Sequence, residues 1–213
     1  SAEELKIPGL KDKVTILLDD NLVPHIFAKN NHDLFFAQGY IHAKYRLWQM
    51  EFQTLAAAGR ISEIIGDKAL EYDRQQRRFG MVYGAENTEK ALQKDPESKE
   101  AADAYTDGVN TWINSLSEKD FPVEYKLLDY APEPWTNLKS ALFLKFMSFD
   151  LAGHESDFER TNAKSYFTKD QYEMLYPLGN DSLDPIIPKG TLYDKPAYSM
   201  LPPATADSLY YHY

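Results

Sequence analysis

The segment AQGYIHAKYRLWQME, from Ala37 to Glu51, lies at the centre of the longest helical pattern in the chain. Asn31 or Asp33 is predicted to cap the start of this helix, and Gly59 is predicted to end it. Apolar side chains recur at helical spacing along one face, which predicts a single long helix. They are Leu34, Ile41, Tyr45, Trp48, Phe52 and Leu55.

Further apolar residues, among them Phe36, Leu47 and Met50, lie off this face. A helix that is apolar on most sides packs inside something larger than itself. Gly39 costs a helix interior about 1 kcal/mol relative to alanine, unless another backbone must approach closely there. We therefore predict that this helix is surrounded by other protein and closely crossed at Gly39.

Composition places the chain among folded proteins and excludes several classes of function. Its 213 residues suffice for one large or two small domains, and an aromatic content of 14% argues against disorder. A net charge of −10 disfavours binding to nucleic acid or anionic membranes. The absence of cysteine excludes disulfides, zinc–thiolate sites and cysteine nucleophiles. No apolar run approaches the roughly 18–20 residues of a membrane-spanning helix, and any signal peptide is expected to have been removed.

Local signals predict the elements around the long helix. Residues 14–28 predict a hairpin, which is too small to be stable alone and is expected to join a sheet supplied elsewhere. Asp95 followed by Pro96 predicts the start of a helix. Thr168, with Gln171 three residues later, predicts a capping box.

The chain changes character near residue 177. Six of its 12 prolines fall in the last 37 residues. We predict a mostly helical body over residues 1–176 and an extended, proline-rich segment over residues 177–213. That segment is expected to lie along a partner surface or to be a linker that ends in a cleavage site.

Motifs of a self-sufficient enzyme are missing. There is no Gly-x-Ser-x-Gly turn and no phosphate-binding glycine loop, and Phe158 stands where a zinc motif beginning at His154 needs its second histidine. Ser1 combines a hydroxyl with a terminal amine, as N-terminal nucleophiles do, but a processing scar is the preferred interpretation. The five histidines lack ligand spacing and are expected to be structural or at the surface. They are His25, His32, His42, His154 and His212.

Two charged groups each leave alternatives open. The run of residues 73–78 contains three arginines and suggests either an anion site or a solvated helix face with Asp–Arg pairs, and we favour the second. Asp150, Glu155, Asp157 and Glu159 form an acidic group that lacks the spacing of a calcium loop. The residues alone favour a solvated helix start stabilised by the helix dipole.

Ten short motifs between residues 14 and 165 follow one another in an order that is typical of one protein family. They are Asp19–Ala28, Asp33–Phe35, Gly39–Tyr40, Ala43, Arg46–Leu47, Gln49–Glu51, Gly59–Gly66, Tyr105–Ile113, Pro134–Trp135 and Leu144–Leu151. In these motifs the chain resembles the start of the penicillin acylase family. Tyr45 departs from the aspartate that usually precedes the arginine there.

This resemblance implies a fold and an activity. The family's members are amidases of the N-terminal nucleophile class, exported as precursors that cut themselves into a small α-chain and a larger β-chain. The chain resembles the α-chain alone, mainly α with a few N-terminal and C-terminal strands that complete the αββα sandwich with the β-chain. The catalytic serine would begin the β-chain, so no catalytic residue is predicted here. A periplasmic or secreted location is also implied.

The resemblance also implies binding residues. In the family an α-chain glutamate joins β-chain oxygens around a structural calcium, and the matching position is Glu159, with Asp157 as the alternative. Acyl-pocket positions, counted without gaps from the Pro134–Trp135 motif, are predicted to involve Ser148, Phe149, Leu151 and Ala152, although Phe149 and Leu151 could equally be core. The loss of the Met, Arg and Phe typical of penicillin-G-type members implies a roomier pocket for a longer acyl group. Expected substrates are N-acyl β-lactams or acyl-homoserine lactones.

A second hypothesis comes from a different class of protein. The aromatic-rich grooves of a stand-alone helical module could bind an apolar ligand without any catalysis. The intact mass of the native preparation distinguishes the two, because a co-purifying larger chain favours the enzyme and a sole species of 24.5 kDa favours the module.

Overall fold

The structure is a computed structural model that describes residues 4–152, 156–177, 187–188 and 190–192. Most of these residues are helical. The chain divides into two compact units, Ser1–Ala152 and Gly153–Tyr213. The elements are β1 Thr15–Leu18, β2 Pro24–Phe27, α1 Asn31–Ala58, α2 Ser62–Ile65, α3 Leu70–Arg78, α4 Met81–Leu92, α5 Pro96–Ser115, α6 Val123–Leu128, α7 Asn137–Ala152, α8 Ser156–Tyr166 and α9 Lys169–Leu175. This confirms the predicted mainly α class with an N-terminal hairpin.

The hairpin forms within the predicted range. β1 pairs antiparallel with β2, with Thr15 opposite Phe27. Ile16 faces α1 and lines, with residues of that helix, a cavity of about 280 Å³. On the other face of the hairpin, Leu17 and Phe27 are exposed. Both faces of this two-stranded sheet therefore carry apolar side chains, a pattern typical of strands covered on both sides.

The start of α1 differs from the prediction by one residue. Asn30, rather than Asn31 or Asp33, is the N-cap, and its side-chain oxygen accepts a hydrogen bond from the Asp33 amide at 2.9 Å. The Asp33 carboxylate instead accepts hydrogen bonds from the amides of Lys11 and Asp12, both at 2.8 Å. Burial favours a raised pKa for Asp33, but these and other hydrogen bonds outweigh it and hold the pKa well below its usual range. The segment before the hairpin is thereby tied to α1.

The main core lies between α1 and α5. Ala43 and Leu47 of α1 contact Val109 and Ile113 of α5, and Trp135 closes the cluster. Tyr45, predicted to share the apolar face of Leu34 and Ile41, is instead 51% exposed. The prediction that α1 is buried on more than one side is confirmed, because Phe36, Leu47 and Leu55 are all buried.

The close crossing predicted at Gly39 is present. A Cβ atom on Gly39 would lie 2.1 Å from the backbone oxygen of Tyr105 in α5. The contact is reciprocal, because a Cβ on Gly108 would lie 2.0 Å from the backbone oxygen of Phe36. The two helices therefore approach so closely that neither glycine position has room for a side chain.

The end of α1 is joined to α3 through polar side chains. Gly59 ends α1 in the left-handed conformation, with φ 66°, as predicted. The buried carboxylate of Asp73 accepts hydrogen bonds from the amides of Ile61 at 3.0 Å and Ser62 at 2.7 Å, and Arg77 Nε donates to the Gly59 carbonyl at 2.9 Å. Within the run 73–78, Asp73 and Arg77 thus hold backbone groups, and only the exposed Arg74 makes an acid–base pair, with Glu71.

The second unit contains α8 and α9, which pack through Ala163 and Tyr172. Thr168 and Gln171 form the predicted capping box at the start of α9. The predicted boundary at residue 177 lies inside this unit, and the expected C-terminal strands fall largely outside the described residues. Within the described ranges, no helix is both long and apolar enough to cross a membrane.

Candidate functional site

Three of the four predicted acyl-pocket residues share one side of α7 near its end. Ser148, Leu151 and Ala152 are all exposed, and Leu151 is 70% exposed. Their spacing of three and four residues places them on the same side of the helix. Ser148 Oγ donates to the carbonyl of Leu144 one turn earlier, at 2.9 Å, and Leu144 is itself exposed. These four residues form an open strip, which we call the α7 strip.

Phe149 lies on a different side of α7. It is partly buried against the cluster formed by the ends of α1, α4 and α7. Its ring centroid lies 5.2 Å from that of Phe79. The structure therefore groups Phe149 with the core and Leu151 with the exposed strip, a difference that sequence spacing alone did not resolve.

The start of α7 is anchored to α1 by a buried ion pair. Glu51 is only 1% exposed, and its carboxylate accepts hydrogen bonds from Lys139 Nζ at 3.0 Å, from the Tyr125 hydroxyl at 2.7 Å and from the Glu133 amide at 2.8 Å. Burial, followed by the charge of Glu51, raises the pKa of Tyr125, so that its hydroxyl stays protonated and donates. These bonds fix the position of the helix that carries the α7 strip.

The same network reaches the surface through Glu133. Its carboxylate accepts from Arg60 at 2.7 and 3.3 Å and pairs with Lys139 at 3.1 Å. The hydrogen bond from Arg60 lowers the pKa of Glu133 most, and although partial burial opposes this effect, the pKa falls from 4.5 to about 2. Glu133 therefore stabilises the folded chain above its ordinary pKa and loses that contribution as the pH falls through the folded value.

A Glu133→Gln variant tests this contribution. We expect the variant to be less stable than the native chain at pH 7, and the difference to shrink between about pH 4.5 and 2 as the native carboxyl becomes protonated. Denaturant unfolding measured across this pH range gives the two curves. Glu86→Gln is the control, because Glu86 is an exposed glutamate for which the described residues include no ion pair. Parallel curves for the native and Glu133→Gln chains would contradict the assignment.

The Asn110 side chain positions the turn that precedes α7. Asn110 Oδ1 accepts from the Trp135 amide at 2.7 Å, and Asn110 Nδ2 donates to the Trp135 carbonyl at 3.0 Å. The buried Trp135 indole donates to Ser140 Oγ at 3.0 Å. The motifs Tyr105–Ile113 and Pro134–Trp135 thus meet in space, and their polar groups orient the start of α7.

The predicted calcium ligands lie in the first turn of α8. Asp157 and Glu159 are both exposed. Residues two apart do not share a helix face, so this turn can direct only one of the two carboxylates at a given ion. Calcium takes six to eight oxygens. Among the described residues no group of three or more His, Cys, Asp or Glu side chains could hold a metal ion, and Glu155 lies outside them. Glu159 fits calcium only as one ligand of a larger set.

Each described histidine lies within hydrogen-bonding distance of a polar side chain. His25 lies 3.2 Å from the Asp19 carboxylate, His32 lies 3.0 Å from that of Asp33, and His42 Nδ1 lies 3.0 Å from the Tyr105 hydroxyl. His154 and His212 fall outside the described residues. Each of the three described histidines thus has a different partner side chain.

Comparison with known proteins places this arrangement in a family. A penicillin acylase 2 proenzyme from Pseudomonas sp. (strain SE83) is 40% identical over 131 residues, which are 62% of this chain and 16% of that protein. The acyl-homoserine lactone acylase QuiP from Pseudomonas syringae pv. tomato is 33% identical over 146 residues, 68% of this chain and 17% of that protein. The chain therefore spans about a sixth of the length of these curated relatives.

A solved structure has the same fold. A thermostable penicillin G acylase from Alcaligenes faecalis superposes with a TM-score of 0.68 at 20% identity, over 84% of this chain and 98% of that one. The sequence model of the family described as penicillin amidase matches residues 13–191, a range that includes the hairpin, the α1–α5 crossing and the α7 strip. Since this match covers far more than half of the sequence, the chain belongs to the penicillin amidase family.

Proposed function

We propose that this chain is the small subunit of an amidase that hydrolyses N-acyl amides together with a separate, larger chain. The family match over residues 13–191 carries the proposal. It disfavours the stand-alone binding module, because the related proteins bear the names of acylases.

Relative lengths support the assignment to a subunit. The curated relatives are about six times longer than the segment they share with this chain, and one of them is named a proenzyme. The solved acylase chain, in contrast, is matched over 98% of its length. The shared fold therefore also occurs as a short chain of its own, as expected for one product of a processed precursor.

The proposed chemistry takes place on the larger chain. Its N-terminal serine attacks the amide carbonyl while its α-amine accepts the hydroxyl proton through a water molecule. Hydrogen-bond donors stabilise the resulting oxyanion, the protonated amine leaves, and water hydrolyses the acyl-enzyme to release the acid. The present chain contributes none of these reacting groups and serves to shape and position the site.

The present chain would contribute to substrate specificity through the α7 strip. Leu151 and Ala152 would form one wall of the acyl pocket, with Ser148 at its polar edge and Phe149 supporting the wall from the core side. Small and aliphatic side chains leave room for a long or branched acyl group. The names of the relatives suggest N-acyl β-lactams or acyl-homoserine lactones as substrates.

Glu159 is proposed to supply one ligand of a structural calcium whose other oxygens come mainly from the larger chain. Its exposed carboxylate in the first turn of α8 suits a shared site. We also propose a periplasmic or secreted location, in keeping with an exported precursor.

Co-production of this chain with the proposed larger chain tests the subunit assignment. We expect the two to co-purify, the larger chain to begin with serine, and only the complex to hydrolyse N-acyl amides. Intact-mass analysis and amide hydrolysis by the complex and by each chain alone give the result. Amidase activity in the isolated 24.5 kDa chain would contradict the proposal.

A substitution in the α7 strip tests the acyl wall. Leu151→Trp is expected to fill part of the pocket and to lower kcat/KM for long-chain acyl amides by about tenfold relative to short-chain ones, as a loss of 1–3 kcal/mol in a hydrophobic pocket would. The matched control is Leu127→Trp on α6, because Leu127 is similarly exposed. An unchanged ratio between chain lengths in the Leu151→Trp complex would place the acyl group elsewhere.

A further inference from the structure

The cavity of about 280 Å³ between the hairpin and α1 has two walls of regular structure. Val14, just before β1, and Ile16 and Leu18 within it occur at every second residue and therefore face one side of the hairpin. On α1, Ile41 and Lys44 lie three residues apart and share one side of the helix. The two walls therefore enclose a mainly aliphatic space that also contains a lysine.

The N-terminal segment covers this space. Ile7 and Leu10 line the cavity from that segment. The amides of the two residues after Leu10 both donate to the buried Asp33 carboxylate at 2.8 Å. Gly9 lies so close to α1 that a Cβ atom on it would be 2.9 Å from the ring of Phe36. The segment is therefore fixed to α1 on one side of the cavity that it covers.

Lys44 gives the cavity its charge. Among the described residues that line the cavity, no other side chain is charged. Lys44 is partly buried, and none of the ion pairs within the described ranges includes it. Glu124 lines a neighbouring cleft together with Lys44 but does not pair with it. Lys44 Nζ instead lies 5.8 Å from the ring centroids of both Tyr45 and Trp112. The ammonium group therefore retains its capacity to bind an anion.

We propose that this cavity binds an aliphatic monocarboxylate, with its carboxylate at the Lys44 ammonium group and its hydrocarbon chain between Ile16 and Ile41. The single cation matches a singly charged head group, and the aliphatic walls match the chain. The volume lies just below the range of about 300–1,000 Å³ that drug-sized ligands occupy, which favours a chain of medium length. This inference goes beyond the proposed function, because no residue of the α7 strip lines the cavity.

Three ligands with the same hydrocarbon chain and different head groups test the role of charge. Octanoate is the probe, and 1-octanol and octylamine are the comparisons. Isothermal titration calorimetry of the chain at pH 7 should show saturable binding of octanoate, weaker binding of 1-octanol and no binding of octylamine, which is protonated and repelled by Lys44. Binding of octanoate that does not saturate, or equal affinities for octanoate and 1-octanol, would overturn the inference.

Removal of the lysine charge gives a second measurement. Lys44→Met keeps a long, flexible side chain and is expected to weaken octanoate binding by about tenfold or more, while the affinity for 1-octanol stays within about twofold. Lys94→Met is the matched control, because Lys94 is exposed and does not line the cavity. It should leave both affinities unchanged. Equal losses of octanoate affinity in the two variants would mean that net charge alone attracts octanoate, which contradicts the site. Circular dichroism verifies that both variants are folded.

Isoleucine methyl groups locate the bound chain without any substitution. In the native protein, nuclear Overhauser effects from the octanoate chain are expected at the methyl groups of Ile16 and Ile41. None are expected at Ile61 and Ile113, which are buried elsewhere in the first unit. Contacts at Ile61 or Ile113 in place of Ile16 and Ile41 would move the ligand to another site and overturn the inference. This measurement decides the question even where Lys44→Met fails to fold.

Discussion

Replacing Gly39 with alanine is expected to lower the free energy of unfolding by about 3 kcal/mol, the upper end of the usual cost of overpacking. The added Cβ would lie 2.1 Å from the Tyr105 carbonyl oxygen, so the backbones of α1 and α5 must move apart. This displacement would also loosen the core around Val109, which has no exposed surface. Denaturant unfolding followed by circular dichroism measures the loss. Gly108→Ala should have an effect of similar size, because its Cβ would meet the Phe36 carbonyl oxygen at 2.0 Å.

Gly84→Ala provides the matched control. Gly84 also lies inside a helix, α4, but its Cβ would lie 3.4 Å from the flexible end of Lys145 and would meet no backbone. The better helix propensity of alanine should stabilise this variant by up to about 1 kcal/mol. Equal effects at Gly39 and Gly84 would contradict the close crossing.

Replacing Lys139 with methionine is expected to destabilise the chain by about 3–5 kcal/mol, because it leaves the Glu51 carboxylate buried without its cation. Glu51 would keep its hydrogen bonds from the Tyr125 hydroxyl and the Glu133 amide, but these neutral donors do not replace the charge. The loss should be visible as a lower denaturant midpoint with an unchanged slope.

Two further variants determine whether the buried pair is responsible. The double substitution Glu51→Gln with Lys139→Met removes both charges and should recover part of the loss, giving a favourable coupling in a double-mutant cycle. Lys99→Met breaks the partly exposed Lys99–Asp103 pair and should cost less than about 1 kcal/mol. Additive effects of the Glu51 and Lys139 substitutions would show that the two side chains do not interact.

Features determined by neighbouring residues were predictable from the sequence. The hairpin, the Asp95 cap with Pro96 after it, the Gly59 terminus and the Thr168 capping box each depend on a few adjacent residues. The predicted N-cap of α1 was wrong by one residue, because asparagine occupies both positions 30 and 31. The other candidate, Asp33, instead accepts hydrogen bonds from the distant Lys11 and Asp12 amides.

Features determined by distant residues were only partly predictable. Gly39 indicated a close approach, but not that α5 would supply the approaching backbone or that Gly108 would reciprocate. The Glu51–Lys139 pair joins residues 88 apart and was missed. A signal was present, because a carboxylate midway between Leu47 and Leu55, on a buried side of α1, requires a buried partner.

The position of the candidate site, at the end of α7, was predictable from the sequence. Counting along α7 placed Ser148, Leu151 and Ala152 together, and helix periodicity brings them onto one exposed strip. Phe149 shows why the remainder could not be predicted, since its contact with Phe79 depends on how α7 packs against residues from earlier in the chain. The proposed acyl specificity and the proposed calcium ligands would depend further on the proposed larger chain, whose residues this sequence does not contain.

The corner between α1 and α2 has a mechanical consequence. A glycine between two helices is a natural hinge. Here, however, the Asp73 carboxylate accepts hydrogen bonds from the amides of Ile61 and Ser62, and Arg77 donates one to the carbonyl of Gly59. Both side chains project from α3, so bending the corner would require three hydrogen bonds to open at once. The corner should therefore behave as a rigid elbow with slow amide hydrogen exchange at Ile61 and Ser62. A displacement imposed on α1 would be transmitted to α3 instead of being absorbed at Gly59.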